Sequence, residues 1–212
     1  MRIDRAGVPF IAGALVPAAL CLAVRRPLLA TPFVGLAAFM AYFFRDPDRI
    51  VPARGDAVVA PADGRVMVAG PGEPGIAPPG QWQQISIFLS PLDVHVNRIP
   101  WGGRLTRVEY RPGRFLPAYR AESGRENEQT ELWIDGQGRT VVFRQVVGIL
   151  ARRIVCRVQE GDTVATGDRF GLMKFGSRMD VFVDPDAQLH ARVGDTVRGG
   201  ETILATFPPK AA

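Results

Sequence analysis

The segment Gly161-Asp162-Thr163-Val164 returns later in the chain as Gly194-Asp195-Thr196-Val197, and another glycine follows each copy within a few residues. Gly-Asp between short alternating segments is typical of a tight β-hairpin with glycine in the first position of the turn. We therefore predict two hairpins of similar shape. Their direct role is that of a scaffold, so the residues that carry chemistry must lie elsewhere in the chain.

The chain between residues 57 and 158 has the composition of short strands. Runs rich in valine, isoleucine and phenylalanine alternate with glycine and proline, which indicates an all-β domain. The predicted strands are Ala57–Ala60, Arg65–Ala69, Gln84–Leu89, Leu105–Tyr110, Thr140–Ile149 and Arg152–Val158. Pro71–Gly80 and Pro112–Gln129 are predicted loops. Together with the paired hairpins, this pattern resembles the flattened barrel-sandwich shared by lipoyl and biotinyl carrier domains.

The first 49 residues differ from the rest. Gly7–Val24 and Leu28–Phe44 are apolar runs without charged residues. Each is about long enough to cross a bilayer, so we predict two apolar helices with Pro27 in the turn between them. The sequence leaves open whether they span the membrane or lie partly in one leaflet. We expect a helical membrane anchor over residues 1–49 and a β-rich catalytic domain over residues 50–212.

Three other interpretations of the apolar start compete with a membrane anchor. A secretory signal peptide has one apolar core before a cleavage site, whereas here a second apolar run follows directly. A lipoprotein signal would need a small residue before Cys21, but Leu20 stands there. Two buried helices of a soluble core are the serious alternative, because both runs are short for a membrane span.

Charge and cysteine content narrow the choice of partners. The formal net charge is +5, and arginine carries most of the positive charge, since Lys174 and Lys210 are the only lysines. A basic surface suits anionic lipid headgroups or nucleic acid. No nucleic-acid motif accompanies the scattered arginines, so we expect no nucleic-acid partner. Cys21 and Cys156 form neither a disulfide framework nor a metal cluster, which fits a reducing compartment and no metal.

Three segments carry the residue types used in catalysis. They are Ala60-Pro61-Ala62-Asp63-Gly64, Ser90-Pro91-Leu92-Asp93-Val94-His95-Val96-Asn97-Arg98 and Phe170-Gly171-Leu172-Met173-Lys174-Phe175-Gly176-Ser177-Arg178-Met179-Asp180. Singly, each is weak, since Asp-Gly signals a turn and a glycine in a strand signals a bend. In this order and spacing they resemble the phosphatidylserine decarboxylases, over nearly the whole chain, and in particular the short bacterial and archaeal type.

That resemblance implies a self-cleaving enzyme. The Gly176–Ser177 bond would be cleaved by the protein itself, giving a large chain, 1–176, and a small chain, 177–212, that stay associated. Ser177 would become a covalent pyruvoyl cofactor, whose ketone forms a Schiff base with phosphatidylserine and releases phosphatidylethanolamine after loss of carbon dioxide. We expect the protein at the cell membrane with its catalytic domain on the cytoplasmic side, where it could form oligomers.

The proposed self-cleavage explains why glycine, serine, histidine and aspartate occur in these segments. Glycine before the serine leaves the carbonyl open and permits a strained turn. Ser177 needs a base to act as a nucleophile, and the base needs an orienting carboxylate, so His95 and Asp63 are the candidates. An imidazole can both accept and donate a proton near neutral pH. Longer bacterial relatives have a second histidine where Arg98 stands, so His95 would have to serve both self-cleavage and turnover.

Two arginines are candidate substrate-binding residues. Arg178 stands where the family more commonly has threonine, and we expect it to influence the substrate phosphate, with an ordinary surface arginine as the equal alternative. Arg98 is the second candidate. His190, the other histidine of the chain, is expected on the surface or in the scaffold.

Two other functions compete with the decarboxylase. Met173-Lys174-Phe175 is similar to the Met-Lys-Met of biotinyl carriers, but a carrier has no use for Gly176-Ser177, for the Asp63 and His95 segments or for a membrane anchor. A membrane-anchored β-domain without catalysis would remain a single intact chain.

Overall fold

The computed structural model describes residues 2–149, 153–174 and 176–209. Residue contacts divide the chain into two compact units, Met1–Asp48 and Arg49–Ala212. Phe175, which belongs to the segment that carries Gly176 and Ser177, lies outside the described residues. Arg152, the first residue of the predicted strand Arg152–Val158, also lies outside them.

The first unit is a pair of helices. Helix α1 (Val8–Ala23) follows a 3₁₀ turn at Arg5–Gly7 and packs against helix α2 (Pro27–Phe43). Two short strands, β1 (Arg2–Ile3) and β2 (Arg45–Asp46), pair antiparallel and bring the ends of the unit together. The predicted pair of apolar helices is therefore confirmed.

The sequence predicted Pro27 in the turn between the helices. In the structure, Pro27 is instead the first residue of α2. Its fixed φ suits the first helical position, where its missing N–H has no intrahelical partner to lose. The turn instead uses Arg25, whose φ of +56° places it in the left-handed region.

Most side chains of the two helices are exposed in the structure. The buried positions are mostly small, including Ala14, Ala18, Ala30 and Ala37. Large apolar side chains are exposed instead, among them Leu15, Val16, Leu20, Leu22, Leu28, Leu29, Val34 and Leu36. Arg5–Ala23 is long and apolar enough to cross a membrane, by length and composition alone, whereas Pro27–Phe43 is a shorter apolar helix.

The second unit is built from short strands, as predicted. In chain order they are β3 (Ala57–Val59), β4 (Gly64–Pro71), β5 (Gln83–Leu89), β6 (Val96–Arg98), β7 (Gly103–Arg111), β8 (Gln129–Gly136), β9 (Arg139–Val147), β10 (Ile154–Cys156), β11 (Thr163–Val164), β12 (Arg169–Met173), β13 (Ser177–Val183), β14 (Gln188–Leu189), β15 (Thr196–Val197) and β16 (Ile203–Thr206). A single helical turn, α3 (Ser123–Glu126), lies within the predicted loop 112–129.

The largest sheet has eight strands in the order β11-β7-β8-β9-β13-β5-β4-β15. Two three-stranded sheets, β10-β12-β6 and β14-β16-β3, complete the unit. Strand β13, which begins at Ser177, is near the centre of the large sheet and pairs antiparallel with β5 and β9. The fold is therefore mostly β with two apolar N-terminal helices, as the sequence predicted, and the barrel-sandwich form remains a prediction.

Both faces of β13 are buried. Side chains alternate along a strand, so Met179 and Val181 enter the main hydrophobic core. Arg178, Asp180 and Phe182 face the other side of the sheet, where Phe182 belongs to a smaller apolar cluster. This second face is also buried, and the ion pair between Arg178 and Asp180 is buried with it.

The two Gly-Asp segments form turns, but the predicted hairpins are wrong. In the first turn, the Asp162 amide donates a hydrogen bond to the Gln159 carbonyl oxygen. Gly161 is the third residue of this turn and has a φ of +94°, as a type II turn requires at that position. The following strand β11 pairs with the distant β7, and β15 after the second copy pairs with β4. Long-range pairing thus replaces the local pairing that the turn pattern suggested.

Candidate active site

Ser177 is a buried residue at the start of β13. Its relative exposure is 0%, and it lies between Leu89 of β5 and Val147 of β9. Within the described part of the chain, its Oγ has no hydrogen-bond partner. A buried hydroxyl without a partner costs free energy, so its retention suggests a functional purpose rather than a packing one.

Gly176 forms a bend immediately before that strand. Its φ of +77° lies in the left-handed region that favours glycine. Gly148 contacts the Gly176 carbonyl closely, since a Cβ at residue 148 would lie 2.5 Å from that oxygen. The glycine at 148 therefore permits the Gly176 carbonyl to take its position.

His95 is fully buried and faces Gly176. The Gly176 amide donates to His95 Nε2 at 3.3 Å, and Nδ1 lies 3.0 Å from the Asp93 carbonyl oxygen. A carbonyl can only accept, so these two contacts assign the proton of the neutral ring to Nδ1. The Nε2 lone pair is then directed at the Gly176 N–H, one peptide unit before the Gly176–Ser177 bond. The structure thus places His95 against Gly176, the residue before Ser177, and the catalytic roles of His95 and Ser177 remain predictions.

An apolar pocket of about 340 Å³ opens beside Gly176. Its other lining residues are Phe88, Pro91, Pro117, Ala118, Tyr119, Gly148 and Ile149. Asn127 holds the loop that forms one wall, because its side chain bonds both backbone groups of Leu116 and the Val147 carbonyl at 2.8–2.9 Å. The pocket offers an apolar surface next to the bond that would be cleaved.

Asp63 is held by partners other than His95. Its Oδ2 accepts from Arg49 at 2.7 Å and its Oδ1 from the Gly199 amide at 2.8 Å. Arg49 also pairs with Glu201 at 3.3 Å. Each carboxylate oxygen can accept a second hydrogen bond, so these contacts leave Asp63 with acceptor capacity. The orienting role predicted for Asp63 remains a prediction.

The two candidate substrate-binding arginines are both buried. Arg98 is 6% exposed and donates to the Gly167 carbonyl at 3.0 Å. Arg178 is 1% exposed, lies on the face of β13 opposite to Ser177, and pairs with Asp180. A surface position for Arg178, the alternative interpretation, is therefore wrong, and its buried pairing gives no support to a contact with a substrate phosphate.

Comparison with known proteins matches residues 36–205 to a family model described as phosphatidylserine decarboxylase. A phosphatidylserine decarboxylase proenzyme of Solibacter usitatus is 43% identical over 205 residues, which cover 97% of each chain. One of Salinibacter ruber is 48% identical over 87% of this chain and 82% of the relative. One of Nitrosomonas europaea is 42% identical over 97% and 95%.

The chain belongs to the phosphatidylserine decarboxylase family. The resemblance inferred from the three polar segments is thereby confirmed. In this member of the family, the Gly-Ser dipeptide stands at the entrance to the central strand of the large sheet.

Several residues that shape this decarboxylase-family site were missed by the sequence reasoning. Gly148 and Asn127 lie in stretches with no motif, and their roles arise from contacts with distant segments. Asp93 contacts His95 through its backbone carbonyl. Any residue type could make this contact, so the sequence gives no signal for it. His190 lies outside the site, exposed at the surface with Nε2 2.9 Å from Thr206 Oγ1, as predicted.

Cys156 does not compete with Ser177 as a nucleophile. Burial raises the pKa of its thiol, so the thiolate, which is the reactive form, is disfavoured. Its Sγ lies 3.5 Å from the Val158 carbonyl oxygen.

We expect Gly148→Ala to slow the self-cleavage predicted at Gly176–Ser177 at least about tenfold, because the added Cβ would displace the Gly176 carbonyl from its position. The measurement is the time course of fragment appearance after synthesis. Gly55→Ala is the matched control, since a Cβ there meets only Gln137 Oε1 at an ordinary 3.8 Å. Cleavage of the Gly148 variant at the wild-type rate would show that this contact is unimportant.

A second pair of variants tests Asp63. We expect Asp63→Asn to slow self-cleavage at least about tenfold, because a neutral amide stabilises an imidazolium poorly. Arg49→Met removes the same ion pair and keeps the carboxylate, so its rate should stay within about threefold of wild type. Equal losses in both variants would mean that Asp63 acts only through its ion pair.

Proposed function

We propose that this chain is a self-processing phosphatidylserine decarboxylase in which Ser177 is first nucleophile and then cofactor. One observation carries the proposal: the buried, unpartnered Ser177 hydroxyl follows a glycine whose amide contacts His95 Nε2. The family supports the substrate, since the relatives are named phosphatidylserine decarboxylases. Their names also say proenzyme, which supports a precursor that must be processed.

Self-cleavage begins with an acyl shift. The Ser177 Oγ attacks the Gly176 carbonyl carbon, its proton passes to His95 Nε2, and the Gly176–Ser177 C–N bond breaks as the Ser177 nitrogen takes up a proton. The product is an ester between Gly176 and the Ser177 oxygen. Gly176 fits this step because its left-handed φ holds the carbonyl in a turn that residues with a side chain rarely adopt.

Elimination completes the processing. A base removes the Ser177 Hα, and the ester C–O bond breaks, so that Gly176 leaves as a carboxylate and retains the serine oxygen. The dehydroalanine left at position 177 tautomerises to an imine, which takes up water and releases ammonia. The contact of His95 Nε2 with the Gly176 amide supports His95 as the residue that moves these protons.

The site fits the pyruvoyl group that would result. Residue 177 has no side-chain hydrogen bond to lose among the described residues, and the apolar pocket lies beside Gly176. The pyruvoyl ketone supplies an electrophilic carbonyl for the substrate amine and accepts the electrons left by loss of carbon dioxide. His95 is the residue positioned to return a proton in turnover, and the described contacts offer no second histidine for this step.

The two chains would remain associated through the sheets. The proposed small chain contributes β13, which lies between β5 and β9 of the large chain. It also contributes β15 and β16, which pair with β4 and β3. Cleavage before residue 177 leaves the pairings of residues 178–183 of β13 intact, so separation would require unfolding of the large sheet.

A membrane location is part of the proposal. The substrate has acyl chains, the pocket is apolar, and the helices expose large apolar side chains while burying alanines. Small buried residues with apolar exteriors are typical of helix pairs packed within lipid. The net charge of +5 favours an anionic lipid surface. We place the catalytic unit on the cytoplasmic side, as the two cysteines suggest.

The experiment is an assay of the full chain with vesicles that contain phosphatidylserine. We expect release of carbon dioxide and formation of phosphatidylethanolamine in equal amounts. Vesicles of phosphatidylcholine serve as the control and should yield neither product. Processed protein that releases no carbon dioxide from phosphatidylserine would contradict the proposed substrate while leaving self-cleavage intact.

A further inference from the structure

Arg178 follows the proposed cofactor position directly, and its guanidinium is buried. Its Nε donates to Asp180 Oδ1 at 2.6 Å, and its Nη2 donates to Ser86 Oγ at 2.9 Å. The exposure of Arg178 is 1%, and that of Asp180 and Ser86 is 0%. We name these three residues the Arg178 clamp.

Neighbouring segments hold the clamp in place. Gln84 donates to Ser86 Oγ at 3.0 Å, so this hydroxyl joins two side chains of β5 to Arg178. Gly124 of α3 lies directly against the guanidinium, where a Cβ would be 3.2 Å from Nη2. Glu73 lies 4.0 Å from the same nitrogen. The guanidinium is therefore confined by contacts from β5, β13, the segment after β4 and α3.

Stability alone does not explain a buried ion pair here. Well-packed apolar residues of similar volume are often as stable or more stable than such a pair, and positional specificity is one documented reason for retaining it. A slip of β13 by one residue would move Arg178 into the main apolar core and Ser177 onto the opposite face. The clamp therefore makes the register of β13 at Ser177 strongly preferred.

Cleavage increases the need for such a restraint. Once the Gly176–Ser177 bond is broken, residue 177 is a chain end with no covalent neighbour before it. A pyruvoyl group also has no N–H, so position 177 loses its backbone donor in the sheet. Arg178 is then the first residue of the small chain with a complete backbone and an anchored side chain.

We propose that the Arg178 clamp is a positioning device that prevents the new chain end from fraying and keeps residue 177 beside His95. This inference rests on the proposed self-cleavage. Arg178 acts through the backbone of β13 and does not touch the substrate. Its function concerns the processed enzyme, because in the intact precursor Gly176 still restrains the strand.

The test replaces the ion pair by apolar residues, Arg178→Met with Asp180→Leu, so that no buried charge is left alone. Hydrogen exchange at residues 178–182 is compared between the processed enzyme and an intact chain that also carries Ser177→Ala. We expect exchange at least about tenfold faster in the processed form. The kcat should fall at least about tenfold with KM within about threefold, because the reactive group is misplaced while the pocket is unchanged.

Arg144→Met with Glu131→Leu is the matched control. This pair is also buried on the second face of the large sheet, with exposures of 4% and 1%. It joins β9 to β8, and Arg144 lies opposite Asp180 in the β9–β13 pairing and over the Phe182 ring, so it is a neighbouring buried pair whose loss leaves the hydrogen bonds of Arg178 in place. Its replacement should give equal hydrogen exchange at residues 178–182 in processed and intact chains, and a kcat within about twofold of wild type.

Equal hydrogen exchange in the processed and intact forms of the Arg178→Met, Asp180→Leu variant would overturn the inference. A kcat of this variant within twofold of wild type would overturn it as well. If the double variant is not processed, Ser86→Ala removes one acceptor and keeps the ion pair, and equal exchange there overturns it likewise. Because exchange needs only a cleaved chain, it is independent of turnover. Wild-type protein that is never cleaved would instead defeat the proposed function.

Discussion

Ser177→Ala should yield a single full-length chain with no ketone and no decarboxylation. The variant lacks both the nucleophile and the atoms from which the cofactor forms, so we expect activity to fall at least about 10⁴-fold. Among the described residues the Ser177 hydroxyl has no partner, so its removal should leave the fold intact. Mass spectrometry, circular dichroism and carbon dioxide release measure the three parts of this prediction.

Thr206→Val is the matched control for the serine variant. It also removes a buried hydroxyl, one that lies 2.9 Å from His190 and away from the cleavage site. Processing should be complete in this variant. Decarboxylation of phosphatidylserine by the Ser177→Ala protein would contradict the proposed mechanism even though the family assignment would stand.

His95→Gln has the second large expected effect. Glutamine retains a polar side chain but cannot take up the Ser177 proton, so we expect self-cleavage to slow by at least about 10³-fold. Loss of a well-placed general base has this magnitude, and Nε2 contacts the Gly176 amide at 3.3 Å. The fraction of intact chain, followed by mass over hours after synthesis, is the measurement.

His190→Gln controls for the loss of an imidazole as such. His190 is exposed and contacts Thr206 rather than any residue of the site, so cleavage and turnover should stay within about twofold of wild type. Normal cleavage of the His95 variant would exclude His95 as the base. Equal loss in both variants would point to a general effect on folding.

The fold was predictable where its signals are local. Apolar runs without charge mark α1 and α2, and alternating β-branched runs mark β4, β5 and β9. The stretch around Ser177 is strand-like in sequence, but its burial on both faces was not predictable, because Arg178 and Asp180 interrupt the apolar pattern and are buried only through a second face of the sheet. The pairing of β11 with β7 was missed because turn residues reveal a turn but not the partner of the next strand.

The site was predictable where chemistry requires a particular residue type. Gly176, Ser177 and His95 stand out in the sequence by residue type, and the structure places His95 against Gly176, whereas their catalytic roles remain predictions. The environment of Arg178 could not be predicted, because burial depends on which segments cover the sheet. The same holds for Asp63, whose contacts with Arg49 and Gly199 join segments far apart in the chain.

The most direct measurement of self-processing at Ser177 is the intact mass of the purified full chain, combined with N-terminal analysis. The full-length protein has a mass of 23.1 kDa. Self-processing predicts two fragments, residues 1–176 and a small chain that begins at position 177 with a blocked end. The small chain should be lighter by one ammonia than residues 177–212 with an N-terminal serine. A single species of 23.1 kDa, with no chain beginning at residue 177, would contradict it.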